Sequence, residues 1–160
     1  MKRHESERIM ALAIEKARQT MNQDLGGPFG AAIISENGDI LAVSSNSVLG
    51  DHDPTAHAEI NAIRAAAKKI GSHDLSHTYL ITTCYPCPMC LGAIIWANIR
   101  TVIYGCRKED AANIGFRDDF IYDFIKDGMK DKKVLSLEES DRDLCLSLFN
   151  EYSEKHKPLY

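Results

Sequence analysis

Apolar residues recur at helical spacing near the start of the chain. Between residues 6 and 22 they lie about one turn apart with charged residues between them: Ile9, Met10, Ala13, Ile14 and Ala17. This spacing is typical of an amphipathic helix. Two short apolar runs follow at 29–35 and 39–46, and the Asn37-Gly38 pair between them favours a hairpin turn. The pattern predicts one helix and then two antiparallel strands.

In the remainder of the chain, predicted helices alternate with short apolar runs that are typical of strands. A helix is predicted over 53–70, because Pro54 suits a helix start and Gly71 suits a helix end. The further predicted elements are a strand at 78–83, a helix at 88–98 opened by Pro88, a strand at 101–105, short segments at 109–113 and 116–125, and a last helix at 138–152. This order predicts an α/β protein, a three-layer α/β/α domain with a central mixed sheet.

Length and composition narrow the class of protein. The 160 residues, 44% of them hydrophobic and 26% charged, predict one domain spanning residues 1–160. A formal net charge of −4 argues against a nucleic acid partner. The first residues have no apolar leader, and the longest apolar run, 91–99, is too short to span a bilayer. We therefore expect a cytoplasmic protein with no membrane partner.

Two short motifs carry the chemistry. His57-Ala58-Glu59 and Pro86-Cys87-Pro88-Met89-Cys90 together match the pattern H-x-E…P-C-x-x-C, which is typical of zinc-dependent base deaminases. Catalytic zinc takes three protein ligands and leaves a fourth position for water. The pattern predicts one zinc ion held by His57, Cys87 and Cys90.

The positions of these residues along their helices suit the predicted roles. With Pro88 as the first helical residue, Cys87 would cap the helix and Cys90 would lie in its first turn, where the helix dipole favours thiolates. Glu59 is two residues from His57, so on a regular helix the two side chains would point in different directions. We expect Glu59 to take a proton from the water and to pass protons to the substrate as the general acid and base.

Other interpretations of these residues stay open. Cys84 could join the three ligands in a closed structural zinc site, and Glu59 could serve as a helix cap. Cys106 and Cys145 are predicted to be buried, inert thiols. The remaining histidines are predicted to be surface or loop residues: His4, His52, His73, His77 and His156.

At these motifs the chain resembles the cytidine deaminase-like superfamily, and within it the bacterial guanine deaminases. The likeness extends over nearly the whole chain. It is carried by the segments 26–31, 53–59 and 86–96, by Gly115-Phe116 and by 120–122. The resemblance implies zinc-dependent hydrolytic deamination of a small purine, guanine, to xanthine and ammonia.

The resemblance also implies residues that bind the substrate. Asn46 would bind the base, and Asp118 would accept hydrogen bonds from the N–H groups of the purine. Phe29 and Trp96 would supply aromatic contacts to the base. The C-terminal Tyr160 would reach the site of the partner subunit, which implies a homodimer that exchanges a tail of about residues 153–160.

Two departures from the family pattern bear on the substrate. Tyr85 stands where the family usually has Glu, and Arg117 stands where it usually has an acidic residue, so Asp119 competes with Asp118 for the same role. Three alternative functions stay open. They are deamination of guanosine or another base or nucleoside, deamination of adenosine in tRNA, and a zinc-stabilised module without catalytic activity.

Overall fold

The computed structural model describes residues 3–159. Tyr160, which the resemblance assigns to the substrate site, therefore lies outside the described residues. The chain forms two compact units, one ending at Asp119 and the other beginning at Phe120. Each unit is described by itself.

The first unit contains the four strands and most of the helices. In chain order its elements are α1 (Arg3–Asn22), β1 (Gly30–Ser35), β2 (Ile40–Ser45), α2 (Val48–Asp51), α3 (Ala58–Ile70), β3 (Thr78–Cys84), α4 (Pro88–Trp96), β4 (Val102–Cys106) and α5 (Lys108–Asn113). The predicted hairpin is present, since β1 and β2 pair antiparallel and Gly38 adopts a φ of 91° in the turn between them.

The strands form one mixed sheet in the order β2-β1-β3-β4. β1 is antiparallel to both of its neighbours, whereas β3 and β4 are parallel and are connected through α4. The carboxyl ends of β3 and β4 therefore lie at the same edge of the sheet. The helix that follows β3 begins at this edge, and open α/β sheets favour ligand sites there.

The sheet has an apolar core on each of its faces. Ile9 of α1 packs with Ala32, Ile34 and Ile81 on one face. On the other face, alanines of α3 pack with strand residues such as Ile33 and with Ile94 of α4. Helices thus cover both faces, and the predicted three-layer α/β/α class with a mixed sheet is confirmed.

One predicted boundary is wrong in a way that affects the site. The second long helix begins at Ala58, not at residue 53. Asp53 Oδ1 accepts hydrogen bonds from the backbone N–H and the hydroxyl of Thr55, both at 2.7 Å. This local Asx turn competes with helix formation, so Pro54 lies in a turn before the helix. The short α2 was not predicted.

The second unit is helical. It contains most of α6 (Asp119–Lys126), whose first residue belongs to the first unit, and α7 (Arg142–Glu154). α7 begins four residues later than predicted. The hydroxyl of Tyr152 donates a 2.6 Å hydrogen bond to the carbonyl of Pro158, so the chain turns back after α7. Within residues 3–159, no helix combines the length and the apolar character that a membrane span requires.

Candidate metal centre and substrate site

His57 is placed by the turn that precedes α3. It is the N-cap of the helix, with an extended backbone at φ −71° and ψ 156°. Its backbone N–H donates to the carbonyl of Thr55 at 2.7 Å. Since the residue lies just outside the helix, its ring is not bound to the helical spacing that would separate it from Glu59.

The two cysteines lie at the start of α4. Cys87 is the N-cap and Pro88 is the first helical residue, as predicted, and Cys90 is fully buried in the first turn. His57 Nδ1 lies 3.5 Å from Cys87 Sγ and 3.6 Å from Cys90 Sγ. The N-terminal ends of α3 and α4 thus bring three metal-ligating atoms together, all within 4.8 Å of one another.

These distances fit zinc. Tetrahedral zinc with bonds of about 2.3 Å to sulfur and about 2.1 Å to nitrogen places its N and S donors roughly 3.6 Å apart. The His57 to cysteine distances have that value without rearrangement. One imidazole and two thiols are also ligands that zinc prefers, and a set of three leaves a fourth position open.

The electrostatics of the cluster favour the ligand form of one of its residues, the thiolate of Cys87. A hydrogen bond from the Cys90 thiol, opposed by burial and reinforced by His57, lowers the pKa of Cys87 to about 4. The same hydrogen bond, together with burial, raises the pKa of Cys90. The hydrogen bond to Cys87 also raises the pKa of His57. The cluster thus favours a thiolate at Cys87, next to the imidazole of His57.

Glu59 lies beside this cluster and is 6% exposed. Its Oε2 lies 3.5 Å from Cys90 Sγ, and its Oε1 accepts a 2.9 Å hydrogen bond from the hydroxyl of Thr82 on β3. Burial raises the pKa of the Glu59 carboxyl, and the hydrogen bond from Thr82 opposes that effect. A buried carboxylate next to an open metal position is suited to move protons there.

The other cysteines do not join the metal cluster. Cys84 is buried, and its thiol donates to the carbonyl of Arg107 at 3.6 Å. Burial, and then the nearby Cys106, raise the pKa of Cys84 to about 11. The prediction that Cys106 and Cys145 are buried is wrong, because Cys106 ends the edge strand β4 and Cys145 lies on α7, whose residues are all exposed. The five histidines predicted to be surface or loop residues are all exposed.

Asn46 lies directly after β2 and is 6% exposed. Its side-chain Oδ1 accepts hydrogen bonds from the backbone N–H groups of Gly27 and Val48, both at 3.2 Å. Its own backbone N–H donates to the carbonyl of Phe29 at 2.9 Å. Because both acceptor positions of the amide oxygen are used, the Nδ2 group is the part of the Asn46 side chain that can bind a ligand, and it binds as a donor.

Asp118 and Asp119, the two candidates for binding the N–H groups of the purine, lie in different environments. Arg117 donates two hydrogen bonds to the Asp119 carboxylate, at 3.1 and 2.6 Å. Burial, followed by the negative charge of Cys87, raises the pKa of Asp118. Asp118 therefore lies within electrostatic reach of the cluster, while Asp119 is paired with Arg117.

The predicted aromatic residues fall in two different environments. Phe29 is half-buried and packs edge to face against Phe116, with ring centroids 5.0 Å apart. Trp96 is 75% exposed at the last position of α4, about 9 Å along the helix axis from Cys90. The structure thus connects Phe29 with Asn46 through the backbone and does not bring Trp96 into the buried cluster. Tyr85 packs edge to face against Tyr104, with ring centroids 5.1 Å apart.

Two residues of the site were missed by sequence reasoning. Thr82 contacts Glu59, and Asn61 of α3 donates from Nδ2 to the carbonyls of Ser45 and Ala56, at 2.9 and 3.4 Å. Neither belongs to a motif. β3 contains three threonines, Thr78, Thr82 and Thr83, so its sequence alone does not single out Thr82 as the partner of Glu59.

The fold and the site together define a zinc-binding deaminase domain: a mixed sheet with helices on both faces, and a His-Cys-Cys cluster with a buried glutamate at two helix starts. The profile of the family described as "Cytidine and deoxycytidylate deaminase zinc-binding region" matches residues 3–106, and the chain belongs to this family.

Several relatives are similar over most of their length. Guanine deaminase of Bacillus subtilis (strain 168) is 44% identical over 128 residues, which cover 80% of this chain and 81% of the relative. An X-ray structure of guanine deaminase from Bacillus subtilis superposes with a TM-score of 0.90 at 39% identity, over 100% of this chain and 99% of that chain. The tRNA-specific adenosine deaminase of Haemophilus influenzae is 35% identical over 74% of this chain and 68% of its own.

Proposed function

We propose that the protein is a zinc-dependent aminohydrolase that converts guanine and water to xanthine and ammonia. The observation that carries the chemistry is the position of Glu59, a buried carboxylate whose Oε2 lies 3.5 Å from Cys90 Sγ, in the group of three side chains that could hold zinc. The choice of guanine is supported by the likeness to guanine deaminases in sequence and in structure.

The reaction needs one position for an activated water and one group that moves protons. His57, Cys87 and Cys90 would hold zinc, which would supply the Lewis acidity that lowers the pKa of a water toward neutrality. Glu59 accepts a proton from the attacking water as its oxygen adds to the amine-bearing carbon of guanine. Glu59 delivers that proton to the adjacent ring nitrogen. It then transfers the second proton of the water to the departing amine, which leaves as ammonia.

Two polar side chains are proposed to orient the base. Asn46 presents an amide donor, because its oxygen is already bound by two backbone N–H groups. This donor would bind the oxygen and nitrogen acceptors on one side of guanine. Asp118 presents an acceptor, and guanine offers N–H donors on its other side. Pairing of Asp119 with Arg117 favours Asp118 for this role.

The outer part of the site is proposed to be aromatic and shared. Phe29, packed against Phe116, and Trp96 would contact the planar base.

Tyr160 would enter the site of a second subunit in a homodimer that exchanges its C-terminal tail. Deleting residues 158–160 should then reduce deamination and leave zinc content unchanged. Full activity after the deletion would contradict the exchange of the tail.

We also propose a cytoplasmic location, since the ligand cysteines must stay reduced.

Ammonia release by the zinc-loaded protein tests the proposal. The substrates to compare are guanine, guanosine, adenine, cytosine, cytidine and tRNA. Selective release from guanine is the expected result. Selective release from guanosine would show that a ribose fits beside the base, and release from tRNA alone would instead match the adenosine deaminase relative. Absence of release from every substrate would favour a non-catalytic zinc module.

A further inference from the structure

We propose that Thr82 is a positioning residue for Glu59. Its hydroxyl holds one oxygen of the Glu59 carboxylate, so that the other oxygen faces the metal cluster. The inference rests on the proposed function, because it assigns a part in the reaction to a residue that contacts neither metal nor substrate. The juxtaposition that carries it is the 2.9 Å hydrogen bond from Thr82 Oγ1 to Glu59 Oε1, in a place from which water is excluded.

Thr82 is well placed to fix another side chain. It is 1% exposed and lies in β3, which pairs with β1 on one side and with β4 on the other. Its backbone is opposite Ala31 in one pairing and opposite Tyr104 in the other. A β-branched side chain on such a strand has little rotational freedom, so its hydroxyl is a fixed donor.

The hydrogen bond distinguishes the two oxygens of Glu59. Oε1 is bound to Thr82, and Oε2 lies on the cluster side, 3.5 Å from Cys90 Sγ. A carboxylate that must first accept and then deliver protons benefits from a single orientation, since rotation about its last bond would move the reacting oxygen away. Thr82 thereby leaves Oε2 as the oxygen that exchanges protons with the water and the base.

The chain offers a matched control on the same strand. Thr78 is four residues earlier, on the same face of β3, and is 7% exposed. Its hydroxyl donates to the carbonyl of Leu75 at 2.7 Å, and that carbonyl also accepts the backbone N–H of Thr78. Thr78→Val therefore removes a buried threonine hydroxyl about 13 Å from the site without leaving its acceptor unpaired.

The kinetic test compares Thr82→Val, Thr82→Ser and Thr78→Val, with rates expressed per bound zinc. Thr82→Val keeps the side-chain shape and should lower kcat about 10–100-fold, the range found for residues that orient metal-site groups, with KM for guanine unchanged. Thr82→Ser restores the hydroxyl and should keep kcat within about threefold of wild type. Thr78→Val should match wild type. A Thr82→Val enzyme with wild-type kcat per zinc, or a serine variant as slow as the valine variant, would overturn the proposal.

A crystallographic test does not depend on activity. In zinc-loaded Thr82→Val the Glu59 carboxylate should rotate away from its wild-type position, whereas in Thr82→Ser it should stay in place. An unmoved carboxylate in the valine variant would overturn the positioning role. A wild-type protein that fails to deaminate guanine would overturn the proposed substrate instead, and the crystal structures would still decide the role of Thr82.

Discussion

The backbone of Gly26 lies directly against Asn46. A Cβ at residue 26 would overlap the carbonyl oxygen of Asn46 and would lie 2.5 Å from its Oδ1. Glycine is therefore required at this position by close approach, and the next residue, Gly27, donates its N–H to the same Oδ1. The loop before β1 thus fixes the orientation of the Asn46 amide.

The substitution Asn46→Asp tests the predicted polarity of this contact. The new carboxylate would keep an oxygen for the N–H groups of Gly27 and Val48 but would present a second oxygen where Nδ2 was. Loss of the donor and repulsion of the base acceptors should cost about 1–3 kcal/mol, which raises KM roughly 5–150-fold. Steady-state kinetics with guanine would measure the effect, with zinc content unchanged. An unaltered KM would show that Asn46 does not bind the base.

Separate variants of Asp118 and Asp119 test which of the two carboxylates binds the base. Asp118→Asn changes one of the two acceptor oxygens that we assign to the N–H groups of guanine into an N–H donor, and it should raise KM about 10-fold or more. Asp119→Asn breaks an exposed ion pair with Arg117, which contributes little, and it should leave KM close to wild type. Kinetics of the two variants side by side give the assignment, and the opposite ranking would move the role to Asp119.

Asn61 should couple the positions of His57 and Asn46, which we propose as a zinc ligand and a base-binding residue. Its amide binds the carbonyls of Ser45 and Ala56, which immediately precede Asn46 and His57. Asn61→Ala removes these two hydrogen bonds and a third to the hydroxyl of Ser47. We therefore expect a lower melting temperature, about 10-fold weaker zinc binding in competition with a chelator, and a higher KM. Zinc affinity and KM equal to those of wild type, with only the melting temperature lowered, would restrict Asn61 to a role in stability.

Cysteine variants test the composition of the metal site. Cys84 donates to a backbone carbonyl and lies outside the three-ligand group, so Cys84→Ser should retain one zinc per chain. Cys87→Ser removes a ligand and should lose most of the metal. Metal analysis after dialysis would give both values. Loss of zinc from Cys84→Ser would instead favour the closed structural site with four ligands.

Local signals in the sequence account for much of the fold. The Asn37-Gly38 turn, the alternation of helices and strands, and Pro88 after Cys87 each act within a few residues, and all are present in the structure as predicted. The start of α3 was misplaced because Pro54 suits a helix start, while the Asx turn at Asp53 stabilises a different backbone over the same residues.

The site was predictable only where a motif marks it. His57, Cys87 and Cys90 converge as the metal pattern predicts, and Glu59 lies beside them. The contacts of Thr82 and Asn61 depend on how β3, β2 and α3 pack together, over separations of 23 and 16 residues. No local spacing encodes such contacts. The exposure of Cys106 likewise depends on β4 being an edge strand, which follows from sheet order.

Conversion of guanine to xanthine by the zinc-loaded wild-type protein and by Glu59→Ala tests the central claim most directly. Xanthine and ammonia should form in equal amounts with wild type, and the variant should bind one zinc per chain yet lose at least about 100-fold in kcat, because the group that moves protons is absent. A variant that holds zinc and still deaminates guanine at the wild-type rate would contradict the mechanism. Loss of zinc from the variant would contradict it as well, because Glu59 would then be a ligand or a structural cap.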